Sequence, residues 1–383
     1  MKSSKQQTQL QQLRSELNAS FLERSHIIDG LLASLLVGGN AVLYGPPGTA
    51  KSELLRAMCR AIAQARYFKR LLQKAMPPEE LLGPISLKSL EKDELRRNTN
   101  RRLPEAHIAF LDEVFKCNAT TLNALLGLLN EREFENPDPQ PVPLIFLCGA
   151  ANRVPEEVEL APFVDRFIFR PWVPYLQSEK NKALLTEWAC DGTQPQVSAD
   201  QLTLKDIQTL KAEALATPVS VPMRSEYQKA LGYLTQEGFA VSDRRRMQLI
   251  KLLKCFAYVQ GDARVCIEHL HELLPFCLWT KESSEIPLIK KAIDAACPLP
   301  KKHLKALLKT ASEETQSALR MQGDSLKGAL ERATQQLVNI EKTIHALQNS
   351  ETSTLPETEY EKVLGEIGDL REELAEAKDL AIY

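Results

Sequence analysis

One segment of the sequence has the residue types and spacing of a phosphate-binding loop. Its residues are Gly45, Pro46, Pro47, Gly48, Thr49, Ala50, Lys51 and Ser52. The apolar run Ala41–Tyr44 precedes it and a helix-forming segment follows it, which is the strand–loop–helix context that this loop requires. Its backbone N–H groups can bind phosphate oxygens, Lys51 can neutralise β- and γ-phosphates, and the Ser52 hydroxyl can bind Mg²⁺. The segment therefore predicts a site for ATP and Mg²⁺.

Ala50 departs from the usual pattern of such a loop, which has glycine at this position. Because a side chain disfavours positive φ, we expect the loop to turn here without adopting it. A Gly-Pro turn that binds no ligand is the alternative interpretation of the segment, and the flanking strand and helix disfavour it.

Two adjacent carboxylates, Asp112 and Glu113, directly follow the apolar run Ile108–Leu111. The carboxyl ends of buried parallel strands meet at the crevice where α/β proteins bind ligands. We expect Asp112 to bind Mg²⁺ and Glu113 to polarise the attacking water, because phosphoryl transfer to water depends on a positioned acceptor. Surface carboxylates are the alternative, which the position after a buried strand disfavours.

Two further side chains could act on the γ-phosphate from neighbouring strands. Asn152 follows the apolar run Leu144–Gly149, so its amide could bind the attacking water or the γ-phosphate. Arg166 precedes a short strand, and at the edge of a ring subunit its guanidinium could reach a nucleotide bound by the neighbour. The alternatives are a turn-forming asparagine and an intrasubunit ion pair of Arg166 with Asp165 or Glu159.

Three consecutive arginines, Arg244, Arg245 and Arg246, begin a predicted helix after the N-cap candidates Ser242 and Asp243. Consecutive helical residues point in different directions, so one or two of the three at most can reach a nucleotide. Arg244 is our choice for nucleotide contact, and a solvated helix face is the expectation for the others.

The elements that must position these residues predict three domains. In residues 1–175, strands alternate with helices, which predicts an α/β fold with a doubly wound parallel five-stranded sheet. In residues 176–300 the strand signals fade and amphipathic helices predict an all-helical lid domain. Residues 301–383 repeat apolar residues with alternating spacings of four and three, which predicts a coiled-coil-like helical hairpin.

Composition narrows the range of partners. The 383 residues have a formal net charge of −2, so no overall field favours nucleic acid or anionic membranes. The basic loop residues Arg96, Arg97, Arg101 and Arg102 lack interleaved aromatic side chains, which disfavours nucleic-acid binding further. The polar first twenty residues lack the apolar core of a secretory signal, and no apolar run is long enough to span a membrane. We therefore expect a cytoplasmic protein with protein partners.

Taken together, these segments resemble the MoxR family of AAA+ ATPases, and most closely its RavA-like branch. The resemblance covers about residues 15 to 300 and rests on Ser20–His26, GPPGTAKS, Val241–Arg245 and a long central segment. That central segment reads SLKSLEKDELRRNTNRRLPEAHIAFLDEVFKCNATTLNALLGLLNEREF. The ending AKS in place of GKS is also similar to that family. The resemblance departs at the C-terminus, where RavA-like proteins carry a small β-rich insert between long helices and this chain has only NSETSTLP.

The resemblance implies a role for each candidate residue. Lys51 and Ser52 are similar to the Walker A pair, and Asp112 and Glu113 to the Walker B pair. Asn152 is similar to sensor 1 and Arg166 to the arginine finger, while sensor 2 falls on Arg244 or Arg245. The family further implies a homo-hexamer that works with a von Willebrand factor A domain partner on a protein client.

Two functional hypotheses follow. In the first, ATP hydrolysis drives rearrangements that remodel or activate a protein client. In the second, ATP mainly controls ring assembly, and the protein acts as a nucleotide-gated scaffold or binding module. The complete set of candidate catalytic residues favours the first.

Overall fold

The structure, a computed structural model, describes residues 4–321, 324–350, 352 and 355–380. By its internal contacts the chain forms two compact units. The first unit comprises Met1–Pro218, Gly238–Val265 and Glu272–Lys290, and the second comprises Val219–Glu237, Cys266–His271 and Lys291–Tyr383. All predicted site residues belong to the first unit.

The described residues form strands and helices that we number along the chain. The strands are β1 (Asn40–Tyr44), β2 (Ile62–Ala63), β3 (Tyr67–Leu71), β4 (Ile108–Asp112), β5 (Glu133–Glu135), β6 (Pro139–Pro141), β7 (Phe146–Ala151), β8 (Phe167–Phe169) and β9 (Leu202–Thr203). The helices are α1 (Lys5–Ser20), α2 (Ser25–Val37), α3 (Lys51–Arg60), α4 (Glu79–Leu82), α5 (Leu87–Leu90), α6 (Ala119–Asn123), α7 (Leu126–Asn130), α8 (Ala161–Val164), α9 (Glu179–Asp191), α10 (Leu204–Leu215), α11 (Val221–Gln236), α12 (Asp243–Gln260), α13 (Ile267–Leu273), α14 (Pro275–Leu278), α15 (Glu285–Ala296), α16 (Pro300–Leu319), α17 (Asp324–Gln348) and α18 (Glu357–Leu380).

The predicted five-stranded parallel sheet is confirmed, with the strand order β3-β4-β7-β1-β8. The strands β1 and β7 are buried along their whole length, because their residues other than Asn40 are apolar or small on both faces. Parallel pairing brings the residues after β1, β4 and β7 together at the edge formed by the carboxyl ends of the strands. The residues that precede β8 lie at the opposite edge, formed by the amino ends. The sheet therefore separates two groups of candidate residues.

Two helical regions are each divided in the structure. The sequence patterns predict helical structure over residues 10–39 and a helix over residues 119–131. The first region forms α1 and α2 with a break between them, and the second forms α6 and α7. The turn-rich stretch after α7 contains the short antiparallel pair β5 and β6, which alternation of residue types did not indicate.

The region from 176 to 300 is helical in α9 to α15, apart from the two-residue strand β9 that pairs with β2. Helix ends here follow ordinary capping rules. Thr203 forms a capping box with Asp206 at α10, and the Ser242 hydroxyl accepts a hydrogen bond from the Arg245 N–H at α12. The domain boundaries at 175 and 300 stay predictions.

Helices α17 and α18 form the expected hairpin in the second unit. The ion pairs Glu341–Arg371 at 2.8 Å and Glu331–Lys378 at 3.7 Å show that the two helices run antiparallel. Helix α16 packs against both and completes a three-helix bundle, with a core that includes Leu304, Ala311, Leu330, Leu337, Ile344, Ile367 and Leu374. The last predicted residues, 381–383, lie outside the described residues.

Candidate functional site

The loop Gly45–Ser52 joins β1 to α3 and has an unusual backbone. Gly45, Gly48 and Ala50 have φ values of 142°, 77° and 60°. The expectation that Ala50 avoids positive φ was therefore wrong. Ala50 is the N-cap of α3, and a left-handed residue there turns successive N–H groups toward one side of the loop. For a residue other than glycine this conformation costs about 1–2 kcal/mol.

Lys51 is tied to its own loop. Its Nζ donates hydrogen bonds to the carbonyl oxygens of Gly45 and Pro46, both at 2.8 Å, and to Thr49 Oγ1 at 3.3 Å. Burial lowers the pKa of Lys51, while the charge of the nearby Asp112 opposes this shift. The ammonium group is thus half-buried at the loop, within electrostatic range of a carboxylate.

The carboxylates and the predicted asparagine meet at the ends of neighbouring strands. Asp112 ends β4, and its Oδ1 accepts a hydrogen bond from the Glu113 N–H at 3.1 Å. Glu113 itself has a φ of 54°, a strained value for a non-glycine residue. Asn152, directly after β7, donates from Nδ2 to Glu113 Oε1 at 2.9 Å. The pairing of β4 with β7 therefore places Asn152 against Glu113.

One cleft of about 400 Å³ brings these groups together, and we call it the phosphate cleft. Its lining includes Pro47, Gly48, Thr49, Ala50, Lys51, Ser52, Asp112, Glu113 and Asn152. Gly45 and Pro46, also predicted to bind the nucleotide, contribute the carbonyl oxygens that hold Lys51. A Cβ on Gly45 would lie 2.3 Å from the carbonyl oxygen of Val173, so only glycine fits there.

The residues of the phosphate cleft fit a magnesium–nucleotide complex. The first N–H groups of α3, at Lys51, Ser52 and Glu53, have no acceptor within their own helix, and the helix dipole favours an anion there. The Ser52 hydroxyl and the Asp112 carboxylate are the oxygen ligands that Mg²⁺ prefers, with substrate phosphates completing the shell. A Cβ on Gly48 would meet no heavy atom within 4 Å, so the loop is open at this point.

A second cleft of about 390 Å³, the apolar cleft, adjoins the same loop. It shares Gly48 to Lys51 with the phosphate cleft and is otherwise lined by largely apolar residues that include Phe21, Leu22, Val173, Tyr175, Leu185 and Trp188. Such a surface suits the flat base of a nucleotide. The sequence analysis missed this cleft because its residues come from separate segments without a motif.

Glu23 fixes one wall of the apolar cleft. Its carboxylate accepts hydrogen bonds from the Gln177 N–H at 2.8 Å, the Ser178 N–H at 2.9 Å and Asn181 Nδ2 at 2.9 Å. These bonds, led by that of Gln177, lower the pKa of Glu23 to about 2. The carboxylate therefore remains charged at neutral pH and holds the start of α9 beside the cleft.

Arg166 and Arg244 lie at the opposite edge of the sheet, where they line a pocket of about 240 Å³ that we call the basic pocket. Arg244 is exposed and donates from Nη2 to Asn130 Oδ1 at 3.3 Å. Arg166 Nη1 lies 3.7 Å from Asp165 Oδ2, which is the intrasubunit ion pair that the alternative interpretation of this arginine expects. The sequence analysis missed two further cations of the pocket, Arg132 and Lys251. Neither Arg166 nor Arg244 lines the phosphate cleft of its own chain.

Arg245 differs sharply from its neighbour Arg244, and the expectation that it lies on a solvated helix face was wrong. Its side chain is buried, and its guanidinium binds Asp165 Oδ1 at 3.0 Å and the carbonyl oxygens of Phe167, Ile168 and Cys277. These contacts hold the start of α12 against β8. Arg245 is thus a structural residue, whereas the other sensor 2 candidate, Arg244, lines the basic pocket.

Among the described residues, no group of three or more His, Cys, Asp or Glu side chains is arranged to hold a metal ion by itself. Within the same residues, no helix has both the length and the apolar character needed to cross a membrane.

Comparison with protein-family models gives two matches. The model of the MoxR domain in MoxR-vWA-beta-propeller ternary systems matches residues 8–212. The model of an AAA lid domain matches residues 219–293.

Similar proteins are found in an archaeon and a virus. The chain is 42% identical over 257 residues to the uncharacterized protein MJ0812 of Methanocaldococcus jannaschii, covering 67% of each chain. It is 38% identical over 293 residues to MJ0079, an uncharacterized protein of the same organism, covering 74% of this chain and 73% of the relative. The structural protein ORF618 of Acidianus two-tailed virus is 24% identical over 270 residues, which are 66% of this chain and 39% of that protein.

Among solved structures, a candidate ATPase from Cytophaga hutchinsonii has a similar fold, with a TM-score of 0.61 at 16% identity. The match covers 76% of this chain and 94% of that protein. At this level of identity the likeness shows the fold alone.

Proposed function

Because the chain belongs to the MoxR family of AAA+ ATPases, we propose that it binds ATP with Mg²⁺ and hydrolyses it to ADP and phosphate. The observation that carries this proposal is the convergence of Lys51, Ser52, Asp112, Glu113 and Asn152 on one cleft. A phosphate-binding loop needs only Lys51 and Ser52 to hold a nucleotide. The carboxylate and amide beside them add what hydrolysis requires.

Each residue has a distinct task in this proposal. Lys51 and the first N–H groups of α3 bind the β- and γ-phosphates, while Ser52 and Asp112 hold Mg²⁺. The metal ion supplies positive charge to the phosphate oxygens. Glu113 orients a water molecule and accepts its proton as the water oxygen attacks the γ-phosphorus and the bond to the bridging oxygen of ADP breaks. Asn152 holds the Glu113 carboxylate in place.

The basic pocket supports assembly into a ring. In a head-to-tail ring of identical subunits, one face of each subunit meets the opposite face of the next. Arg166 and Arg244 would then lie near the γ-phosphate bound by the neighbour, with Arg166 as the arginine finger and Arg244 as sensor 2. We propose a homo-hexamer on the resemblance stated above. An assembly of this kind explains why two candidate nucleotide contacts lie away from the phosphate cleft of their own chain.

We further propose that hydrolysis remodels or activates a protein client together with a von Willebrand factor A domain partner. The matching family model supports this partner, since its description names MoxR-vWA-beta-propeller ternary systems. A cytoplasmic location and membership of the RavA-like branch are part of the same proposal. They rest on the composition and the sequence segments quoted above.

The direct test compares nucleotide binding with turnover in two variants. Lys51→Ala is expected to weaken ATP binding, because the loop loses its phosphate-binding cation. Glu113→Gln is expected to bind ATP normally but to lower turnover by about 10²–10⁴-fold, the usual contribution of a positioned acid or base. Binding is measured with a fluorescent ATP analogue and turnover by phosphate release.

The exposed Glu237→Gln, in the turn after α11, is the matched control and should behave as the wild type. Near-normal turnover of Glu113→Gln would show that Glu113 does not activate the water. Wild-type protein without Mg²⁺-dependent turnover, alone and with a von Willebrand factor A domain partner, would favour the nucleotide-gated scaffold instead.

A further inference from the structure

The Glu113 carboxylate has a cationic neighbour, Lys116, besides its hydrogen-bond donor Asn152. Lys116 Nζ lies 3.1 Å from Glu113 Oε1, the oxygen that also accepts from Asn152 Nδ2 at 2.9 Å. We propose that Lys116 is a positioning residue for ATP hydrolysis, which fixes the orientation of the Glu113 carboxylate. This inference rests on the proposed function and adds a residue to it.

The backbone gives Lys116 a fixed place relative to Glu113. The two residues form one turn, in which the Lys116 N–H donates to the Glu113 carbonyl oxygen at 2.8 Å. Val114, inside this turn, donates its N–H to the Ala150 carbonyl oxygen and packs directly over Gly149. A Cβ on Gly149 would lie 2.8 Å from Val114 Cγ1, so β7 holds the turn only because a glycine is there. Lys116 is therefore anchored to the sheet through its backbone.

The hydrogen bond from Asn152 and the ion-pair contact of Lys116 both involve Oε1 of the carboxylate. We therefore assign the other oxygen, Oε2, to the water molecule. A hydrogen bond together with an ion pair restricts rotation of the carboxyl group better than the hydrogen bond does alone. A carboxylate held this way presents Oε2 in a constant direction, which the attack on phosphorus requires.

Lys116 approaches Glu113 from the side away from the phosphate loop. Glu113 and Asn152 also line a separate cleft of about 420 Å³, and Lys116 and Arg153 are part of the lining there. Lys116 is absent from the lining of the phosphate cleft, where Lys51 lies. Its position thus fits contact with the carboxylate and not with the phosphates.

Folding stability gives no alternative reason for the contact. The Lys116 side chain is 62% exposed and that of Glu113 is 22% exposed. An ion pair this open contributes little to stability, because water screens the charges and the lysine loses conformational entropy. The chain offers a matched pair in Lys229 and Glu226, also three residues apart, with side-chain exposures of 58% and 21%.

The test measures kcat, KM for ATP and the melting temperature of Lys116→Ala, Lys116→Arg and the control Lys229→Ala. Lys116→Ala should lower kcat by about 10-fold or more, since misplacement of a reacting group costs up to about 100-fold. Its KM should stay within about twofold of the wild type. Lys116→Arg should restore most of kcat, and both alanine variants should melt at the same temperature.

A double-mutant cycle with Glu113→Gln shows whether Lys116 acts through Glu113. In the Glu113→Gln background, Lys116→Ala should have no further effect on turnover. Three results would overturn the inference: normal or increased kcat of Lys116→Ala, a raised KM with unchanged kcat, or additive losses in the cycle. The same assay includes the wild type and Glu113→Gln, which separates this inference from the proposed function. If Lys116 alone is wrongly assigned, these two proteins still differ in turnover as the proposed function expects.

Discussion

The phosphate cleft and the basic pocket are built by opposite edges of one sheet, yet their charges are arranged differently. The phosphate cleft contains both signs, with Lys51 beside Asp112 and Glu113. The basic pocket holds the cations Arg132, Arg166, Arg244 and Lys251 against the single carboxylate Asp165. A site with both signs can bind a phosphate and its metal by itself. A pocket with an excess of cations is complementary to an anion that its own chain does not provide there.

Arg132 illustrates the excess of cations over carboxylates in the basic pocket. Arg132 is partly buried and donates to the Gly38 carbonyl oxygen at 2.8 Å and to Asn40 Oδ1 at 3.1 Å. Desolvation lowers its pKa to about 10, which is still well above neutral pH. The pocket therefore remains positively charged under physiological conditions. Arg166 and Arg244 are the members of this pocket that we expect to contact the neighbour's nucleotide.

The largest effect is expected for Arg166→Ala. If Arg166 stabilises the charge on a neighbouring γ-phosphate, its loss should lower turnover by about 10³-fold or more, as for other arginine fingers. ATP binding should change little, because the phosphate cleft of the same chain is intact. Turnover by phosphate release and binding of a fluorescent ATP analogue measure the two quantities. A variant with normal turnover would show that the basic pocket takes no part in catalysis.

Arg245→Ala is expected to destabilise the fold by about 1.5–3 kcal/mol, because Asp165 and the carbonyl oxygens of Phe167, Ile168 and Cys277 lose a charged donor. Urea unfolding followed by circular dichroism measures this loss. Unchanged stability would contradict the structural assignment of Arg245.

Arg244→Ala, one residue away, should have the opposite profile. We expect a loss of turnover of about 10-fold or more, which is the value of one hydrogen bond to a charged group. Its unfolding curve should overlie that of the wild type, because the Arg244 side chain is exposed. Parallel urea curves and turnover assays of the two arginine variants test the contrast. A stability loss as large as that of Arg245→Ala would show that the two residues do not differ in role.

The smallest effect concerns the backbone of the phosphate cleft. Ala50→Gly should stabilise the protein by about 0.5–1 kcal/mol, because glycine adopts positive φ without the strain of a side chain. Ala57→Gly, in the interior of α3, should instead destabilise it by about 1 kcal/mol. Thermal unfolding compares the two. Destabilisation by both variants would show that Ala50 is not strained.

The phosphate cleft was predictable from the sequence because its residues belong to a recognisable loop motif or lie at the ends of buried strands. Asp112, Glu113 and Asn152 come at or just after the end of a buried strand, Lys51 follows β1 through a recognisable loop, and parallel pairing brings such ends together. An apolar run in the sequence therefore indicates where in the fold the polar residues after it lie. The five-stranded sheet was predictable for the same reason, since fully buried strands read as short apolar segments.

Other features depended on contacts between distant segments. Arg244 and Arg245 are adjacent arginines with the same helix propensity, and only the packing of α12 on β8 makes one exposed and the other buried. The strain at Ala50 was predicted wrongly because residue type alone argued against it, whereas the start of α3 requires it. Helix α16 joined the C-terminal bundle unexpectedly, because the periodic pattern indicated the pairing of α17 with α18 and not their third partner.

The central claim is that the basic pocket of one subunit completes the phosphate cleft of the next. Mixing Arg166→Ala protein with Glu113→Gln protein tests it most directly. In a random equimolar ring, about a quarter of the interfaces would pair an intact Glu113 with an intact Arg166 from the neighbour. We therefore predict that the mixture regains turnover that neither variant has alone. If native mass spectrometry confirms mixed rings and the mixture stays as inactive as both parents, the claim is contradicted.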